Sequence, residues 1–335
     1  MGSDRIDSRR FWTALGLAAA ALVAVAVTMP LVGTAPIELR RVLAGQSPDF
    51  QLMVELRLPR VLLAMLAGAG LALAGALFQG LLRDALATPY TLGVSSGASL
   101  GAVAVLCFGW REVAHAPAVW LGAFAGAGLV LFLVLGIAGR SRRVSTFTLL
   151  LAGIAMNSVC GALIQFLHGM AGLAESFSIS RWLMGGVDAV DYGTLAWLAV
   201  MVIGPSVAVM RRWRDWNLLA GGEEWAAARG VAVNRAVLVG YVAGSVLTGA
   251  ITAVTGPIGF VGLVIPHALR LRMGADHRLL LPCSFLVGAA FLALCDGVGR
   301  VVLAPTEVPV GVITAIVGGP FFIWLLRSRS RSVRF

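Results

Sequence analysis

VLLAMLAGAGLALAGALFQGLL, residues 61–82, runs without one charged side chain. It exceeds the about 20 residues that carry an α-helix across a hydrocarbon core of ~30 Å. In lipid no water is at hand to take the backbone amides and carbonyls, so such a stretch must bond to itself as a helix. Working outward, nine more stretches read the same way: 11–29, 92–109, 117–139, 147–168, 192–210, 236–255, 257–269, 279–295 and 308–326. None of these spans contains Asp, Glu, Lys or Arg. The whole chain, 335 residues at 59% hydrophobic and 13% charged with a mean hydropathy of +0.90, lies far outside soluble composition. The pattern predicts an all-α polytopic membrane protein with about ten transmembrane helices. The eighth span is short and carries Pro257 and Pro266, so a broken or partly re-entrant segment shielded by neighbouring protein is expected there.

All 26 basic residues are arginine; the chain has no lysine. Threading the spans with the N-terminus inside leaves 19 arginines on the inner side and 7 on the outer, and such an excess marks the cytoplasmic side. Both termini are therefore expected in the cytoplasm, with 1–10 and the basic 327–335 as tails and 11–326 as the membrane domain. The net charge of +10 then reflects topology and contact with anionic membrane lipid, and no nucleic acid is expected as a partner. Cys107, Cys160, Cys283 and Cys295 occur singly, without CxxC or His spacing, which reads as small buried thiols and not as disulfides or a metal site. The start, SRRFW before an apolar run, superficially mimics a signal peptide, but nine further spans favour a first membrane helix.

Glycines recur four apart at Gly97 and Gly101, Gly122 and Gly126, and Gly240 and Gly244, a spacing that lets helix backbones approach closely. Residues 170–191 are amphipathic enough for a short surface helix, and 36–60 form the longest outer loop. Without lysine there is no Walker A phosphate loop, so the chain is not itself a P-loop ATPase. No carboxylate lies inside a span, which disfavours proton coupling. A membrane enzyme would need converging His, Asp, Glu or Cys groups, whereas His115, His168, His267 and His277 are scattered.

One long polar island interrupts the apolar body: RRWRDWNLLAGGEEWAAARGVAVNR, residues 211–235. It reads as two short helices broken at Gly221-Gly222. Glu223 and Glu224 open the second at the positive end of its dipole, and Arg229 closes it before a C-cap at Gly230. Trp225 then projects either from a cytoplasmic docking helix or into the headgroup layer as part of an interfacial helix. The local pattern fits both.

Several blocks resemble one family: LRLPRVLLAMLAGAGLALAGALFQGLLRDALATPYTLGVSSGASLGA from Leu56, LLLAGIAMN from Leu149, GGEEWAAARGV from Gly221, TGPIGFVGLVIPHALRLRMGADHRLLLP from Thr255 and LAPTEVPVGVITAIVGGPFFIWLL from Leu303. In collinear order they resemble permeases of the FecCD/BtuC type, the membrane subunits of ATP-driven importers for ferric siderophores, haem and cobalamin. The resemblance implies a BtuC-like ABC type II importer fold. It also implies a pair of such subunits around a central path, two ATP-binding-cassette subunits below and a periplasmic substrate-binding protein above. ATP and Mg would belong to the ATPase partner, with no cofactor in this chain.

The resemblance also assigns residues. Leu218, Gly222, Glu223, Glu224, Trp225 and Arg229 match the coupling helices that fit the ATPase. Arg57, Arg60 and Arg300 match outward-facing arginines that clasp glutamates of the binding protein. Asp84, Leu86, Ser145 and Thr146 match the cytoplasmic gate, and Met156, Asn157, Gln165 and His168 are candidates to line the path. Family members carry Asn-Pro where this chain has Asp84-Ala85, and commonly alanine at Trp225. The expectation is an importer permease of a bacterial inner membrane, with haem ahead of a ferric siderophore and cobalamin third; His168 and Met170 are soft ligands near the outer mouth. The alternative is an ion-coupled carrier or membrane enzyme that needs no ATPase.

Overall fold

The computed structural model describes residues 8–108, 116–138 and 145–330, with side-chain placement as far as 324. The tail residues 1–7 and 331–335, His115 and the arginines Arg140, Arg142 and Arg143 lie outside the described residues. Every regular element among the described residues is helical. Helix α1 (Ser8–Thr28) ends in a single 3₁₀ turn, and the short α2 (Leu39–Leu43) and α3 (Asp49–Gln51) follow. A π-helical stretch, Leu52–Arg57, leads into α4 (Leu58–Leu81), and then come α5 (Val94–Phe108), α6 (Ala116–Ala138), α7 (Thr146–Met170), α8 (Leu173–Leu183) and α9 (Tyr192–Arg211). The rest comprises α10 (Trp213–Ala220), α11 (Glu223–Ala228), α12 (Val233–Thr255), α13 (Val261–Met273), α14 (His277–Val301) and α15 (Val310–Ser330).

Each predicted span falls on a helix: α1, α4, α5, α6, α7, α9, α12, α13, α14 and α15. Seven helical segments are long and apolar enough to cross a membrane unaided, while α5 and α15 are shorter apolar helices. The amphipathic 170–191 segment supplies α8. Two boundaries differ from expectation. The expected tails lose residues to α1 and α15. The 36–60 loop is largely helical, because the membrane helix starts at Asp49 and not near 61. A search for charge-free runs cannot see this extension, whose Glu55, Arg57 and Arg60 break the run. The helix continues through them because its arginines find partners inside the protein, as described below.

Helix α4 is the centre, with 89% of its apolar window buried, and it packs against α14, α12, α13 and α9. Its small residues permit this. A Cβ on Gly75 would sit 1.9 Å from the Gly262 carbonyl oxygen of α13, and one on Gly68 2.2 Å from that of Gly288 in α14. The glycine repeats of α5 and α6 face each other as their spacing predicts: a Cβ on Gly101 would lie 2.0 Å from the Gly122 oxygen, and one on Gly126 2.2 Å from that of Gly97. Gly240 and Gly244 serve differently, making room on α12 for the rings of Trp216 and Phe78. In contrast, α1, α6, α7 and α9 bury only 17–28% of their windows. Their exposed Leu121, Phe132, Phe166 and Val200 leave apolar surface for lipid or another subunit.

The eighth span is broken as expected. Residues 257–260 are not helical, Phe260 is left-handed (φ 67°), and α13 starts only at Val261. The irregular backbone is enclosed by protein: Gly186 N–H donates to the Thr255 carbonyl at 2.8 Å, and the Tyr90 hydroxyl donates to that of Ile258. Non-helical backbone at membrane depth is tolerated only with this kind of cover.

Candidate functional site

The polar island forms α10 and α11, joined at Gly221-Gly222. Gly222 has φ 130°, a conformation side chains rarely adopt, and this turn lets α11 double back. Helix α10 is firmly fixed. Trp216 is buried, its indole N–H donating to the Val209 carbonyl at 2.8 Å. Asn217 donates to Asp276 at 2.7 Å and accepts the His277 backbone N–H at 2.8 Å, which ties α10 to the first turn of α14. Leu218 packs against the core from a half-buried position.

Helix α11 presents the remaining coupling candidates. Trp225 is 45% exposed; its ring lies against Gly221 and under the Arg229 guanidinium, 4.4 Å from the ring centroid. Glu224 is exposed. These residues border an open groove of about 1080 Å³ with Arg83, Val231, Asn234 and Arg235. Trp225 projects from this short helix, and the stack on Arg229 keeps the ring from swinging freely.

Glu223 borders the same groove and also makes contacts inside the chain. Its Oε1 accepts the Thr146 hydroxyl at 3.0 Å and lies 4.0 Å from the Arg83 guanidinium. Of the gate candidates, Thr146 thus contacts α11, and Arg83, next to Asp84, lies near it. Ser145 caps α7, accepting the Thr148 N–H at 3.4 Å, and Thr146 is buried at the first turn. Asp84 accepts the Leu86 N–H at 2.9 Å, and the Ala87 N–H reaches the Asp84 carbonyl at 3.1 Å. An asparagine would form the same local turn, so the aspartate at this position is used for turn geometry. Leu86, at the turn's edge, is exposed.

The opposite end of the bundle holds the three candidate docking arginines, and here the expectation of outward-facing side chains needs correction. Arg57 is buried and donates to the carbonyls of Pro30 and Leu31, both at 3.2 Å, and to that of Ala35. Arg300 is also buried, donating to Val32 at 2.9 Å and Met29 at 3.2 Å, with Asp296 3.2 Å from its Nε. The carbonyls ending α1 and its 3₁₀ turn lack intrahelical donors, and two inward-turned guanidiniums satisfy them. Arg60 is the accessible member, bridging Asp296 at 3.0 Å and Glu307 at 2.8 Å with 17% of its side chain exposed. Near it a pocket of about 710 Å³ opens between α8 and the α14–α15 turn, lined in part by Phe177, Arg181, Trp182 and Asp188.

The path candidates lie along α7. Met156 is half-buried, while Asn157 and Gln165 are exposed on a largely uncovered face. His168 is engaged: its Nε2 is 2.7 Å from the Ser176 hydroxyl and 3.4 Å from that of Ser180. It pins α8 to α7 and is not presented as a ligand. Of the cysteines, Cys160, Cys283 and Cys295 are buried and Cys107 is half-buried, all as free thiols.

Sequence reasoning missed Arg83, Asn217 and Asp276. Each lies beside a motif residue, but only the fold shows what it touches.

The model of the FecCD transport family matches residues 16–328. The chain belongs to the FecCD transport family. Among relatives, an uncharacterized ABC transporter permease, YvrB of Bacillus subtilis, is 41% identical over 84% of this chain and 80% of its own length. The hemin transport system permease HmuU of Yersinia pestis is 39% identical over 84% and 85%, and the vitamin B12 import system permease BtuC of Escherichia coli is 41% identical over 85% and 86%. A solved inward-facing structure described as a metal-chelate type ABC transporter aligns with a TM-score of 0.84 at 31% identity, covering 94% of this chain and 98% of that one. The FecCD chain described here is thus a multi-pass permease subunit of an ABC importer, whose ATPase is a separate subunit. The carrier and membrane-enzyme alternatives give way to that assignment.

Proposed function

We propose that two copies of this permease enclose a path for a large metal chelate across a bacterial inner membrane, with both termini cytoplasmic. The cargo is ordered with haem first, a ferric siderophore next and cobalamin third. Relatives named for hemin and for vitamin B12 support a bulky metal chelate as the common class. Haem is placed first on the matched blocks alone, with no role left for His168 as a ligand; the identities of 39% to the hemin permease and 41% to the vitamin B12 permease do not rank the two.

The observation that carries the mechanism is the meeting of α11 with both gate segments, at Arg83 and at Thr146. In this reading the ATPase grips Leu218, Gly222, Glu224, Trp225 and Arg229, and nucleotide closure moves α10 and α11. The gate around Asp84, Leu86, Ser145 and Thr146 then opens or shuts the path past Met156, Asn157 and Gln165. ATP and Mg act in the partner; this chain transmits the movement. At the other face Arg60 offers the accessible fork for a carboxylate of the binding protein, backed by Arg57 and Arg300.

The cargo is tested on the partner binding protein by titration with hemin, ferric siderophores and cobalamin, followed by absorption spectroscopy and calorimetry. Tight hemin binding with a shifted Soret band supports the order given. Tight binding of cobalamin alone overturns it.

A further inference from the structure

We infer that Glu223 acts inside the permease as a positioning residue, a latch that joins the coupling helix to both gate segments, and does not serve as an ATPase contact. This rests on the importer reading above and deepens it.

Three independent features point to the latch. Glu223 and Glu224 are adjacent on α11 and border the same groove, yet Glu224 is exposed, whereas Glu223 Oε1 accepts the Thr146 hydroxyl at 3.0 Å and lies 4.0 Å from the Arg83 guanidinium. Thr146 is buried in the first turn of α7, so its hydroxyl has a fixed direction, and a hydroxyl bonded to a carboxylate is a charge-assisted contact stronger than a neutral one. Arg83 holds a left-handed backbone (φ 54°), rare outside glycine, just beyond the end of α4. That conformation directs its guanidinium over the turn, where a Cβ added to Gly222 would lie 3.9 Å from Arg83 Nη1.

The two contacts differ in kind. The Arg83 pair is long and half in solvent, at 4.0 Å with side chains 46% and 34% exposed, so it steers more than it holds. The Thr146 contact is short and ties α11 to α7, whose uncovered face carries the candidate path residues. Movement of α11 therefore pulls α7 through one oxygen atom, while the segment after α4 follows by charge.

The test needs no knowledge of the cargo. The permease is assembled with its cognate ABC ATPase, a cysteine is placed at the exposed Leu86, and its reaction with a membrane-impermeant maleimide is timed with and without a non-hydrolysable ATP analogue. The parent permease with its native cysteines supplies the background. We expect nucleotide to change the rate at least threefold in the otherwise native complex. Thr146→Val and Glu223→Ala should reduce that response to less than half while the ATPase stays bound, and Thr146→Ser should restore it. Arg83→Glu combined with Glu223→Arg should recover part of the response lost by either change alone. An undiminished response in Thr146→Val overturns the latch, as does loss of ATPase binding in Glu223→Ala, which would make Glu223 a direct contact. Failure of the native permease to bind the ATPase would instead refute the importer reading itself, so the two failures are distinct.

Discussion

At the scale of single residues, the structure turns on glycines and carboxylates with specific tasks. Gly101 faces the Gly122 carbonyl at a distance no side chain can share, and backbone cannot move aside as a flexible side chain would. Gly101→Val should therefore destabilise the protein by about 1–3 kcal/mol, the range for overpacking. Gly128→Ala, with nothing within 4 Å, should leave stability unchanged. Thermal unfolding in detergent reads both. Asp84 makes a second test: Asp84→Asn should keep the turn, while Asp84→Ala should free the Leu86 amide. That bond is worth ~1 kcal/mol, so exchange of the amide proton should quicken several-fold. The glycine pairs were legible in the sequence because spacing alone puts them on one helix face. Their partners were not, since Gly97–Gly101 meeting Gly122–Gly126 is a fact of α5 packing on α6. Gly240 and Gly244 had the same spacing and received aromatic rings instead.

At the scale of elements, two connections hold the functional ends in place. The first is Asn217, which joins α10 to Asp276 and His277 at the start of α14. Asn217→Ala leaves the backbone N–H of the buried His277 without its acceptor, while Asp276 keeps the Arg278 N–H; the cost is about 1–3 kcal/mol, and the change should lower both the unfolding temperature and the affinity for the ATPase. An unchanged affinity would mean that α10 needs no anchor. The second is Tyr90, whose hydroxyl covers the Ile258 carbonyl in the broken eighth span. Burial pushes the Tyr90 phenol well above its ordinary range, so this donor stays protonated at any pH the protein meets. Its contribution to stability should be flat from neutral pH up to pH ~10, the ordinary tyrosine value, and Tyr90→Phe should lower the unfolding temperature equally across that range. The break in the eighth span was readable from Pro257, whereas Pro266 is carried inside α13. The protective cover of the break, from a loop far away in the chain, was not.

At the scale of the whole molecule, charge is arranged at two ends of an apolar bundle, and the ends work differently. One carries α10 and α11, the proposed seat of the ATPase. The other locks Arg57 and Arg300 against the end of α1, a contact between distant segments that neither the charge-free runs nor the family resemblance specified. This difference separates the three arginines experimentally. Arg300→Gln removes a guanidinium beside the buried Asp296. Breaking a buried pair costs about 3–5 kcal/mol, so stability should fall before docking is affected. Arg60→Gln strips the same buried Asp296 of two hydrogen bonds and should lose stability as well, but it alone should weaken binding-protein affinity, an effect that fades as salt rises. Equal losses of binding-protein affinity in both variants would erase the distinction.

Whether an ATPase drives this permease through the α10–α11 surface is decided by measuring the affinity of the cognate ABC ATPase for the permease in lipid nanodiscs, native and with Glu224→Arg. A stable complex is expected with the native chain, and a loss of at least tenfold in affinity with the variant, without a change in unfolding temperature. Equal affinity for both chains, or no complex with the native one, would contradict that coupling.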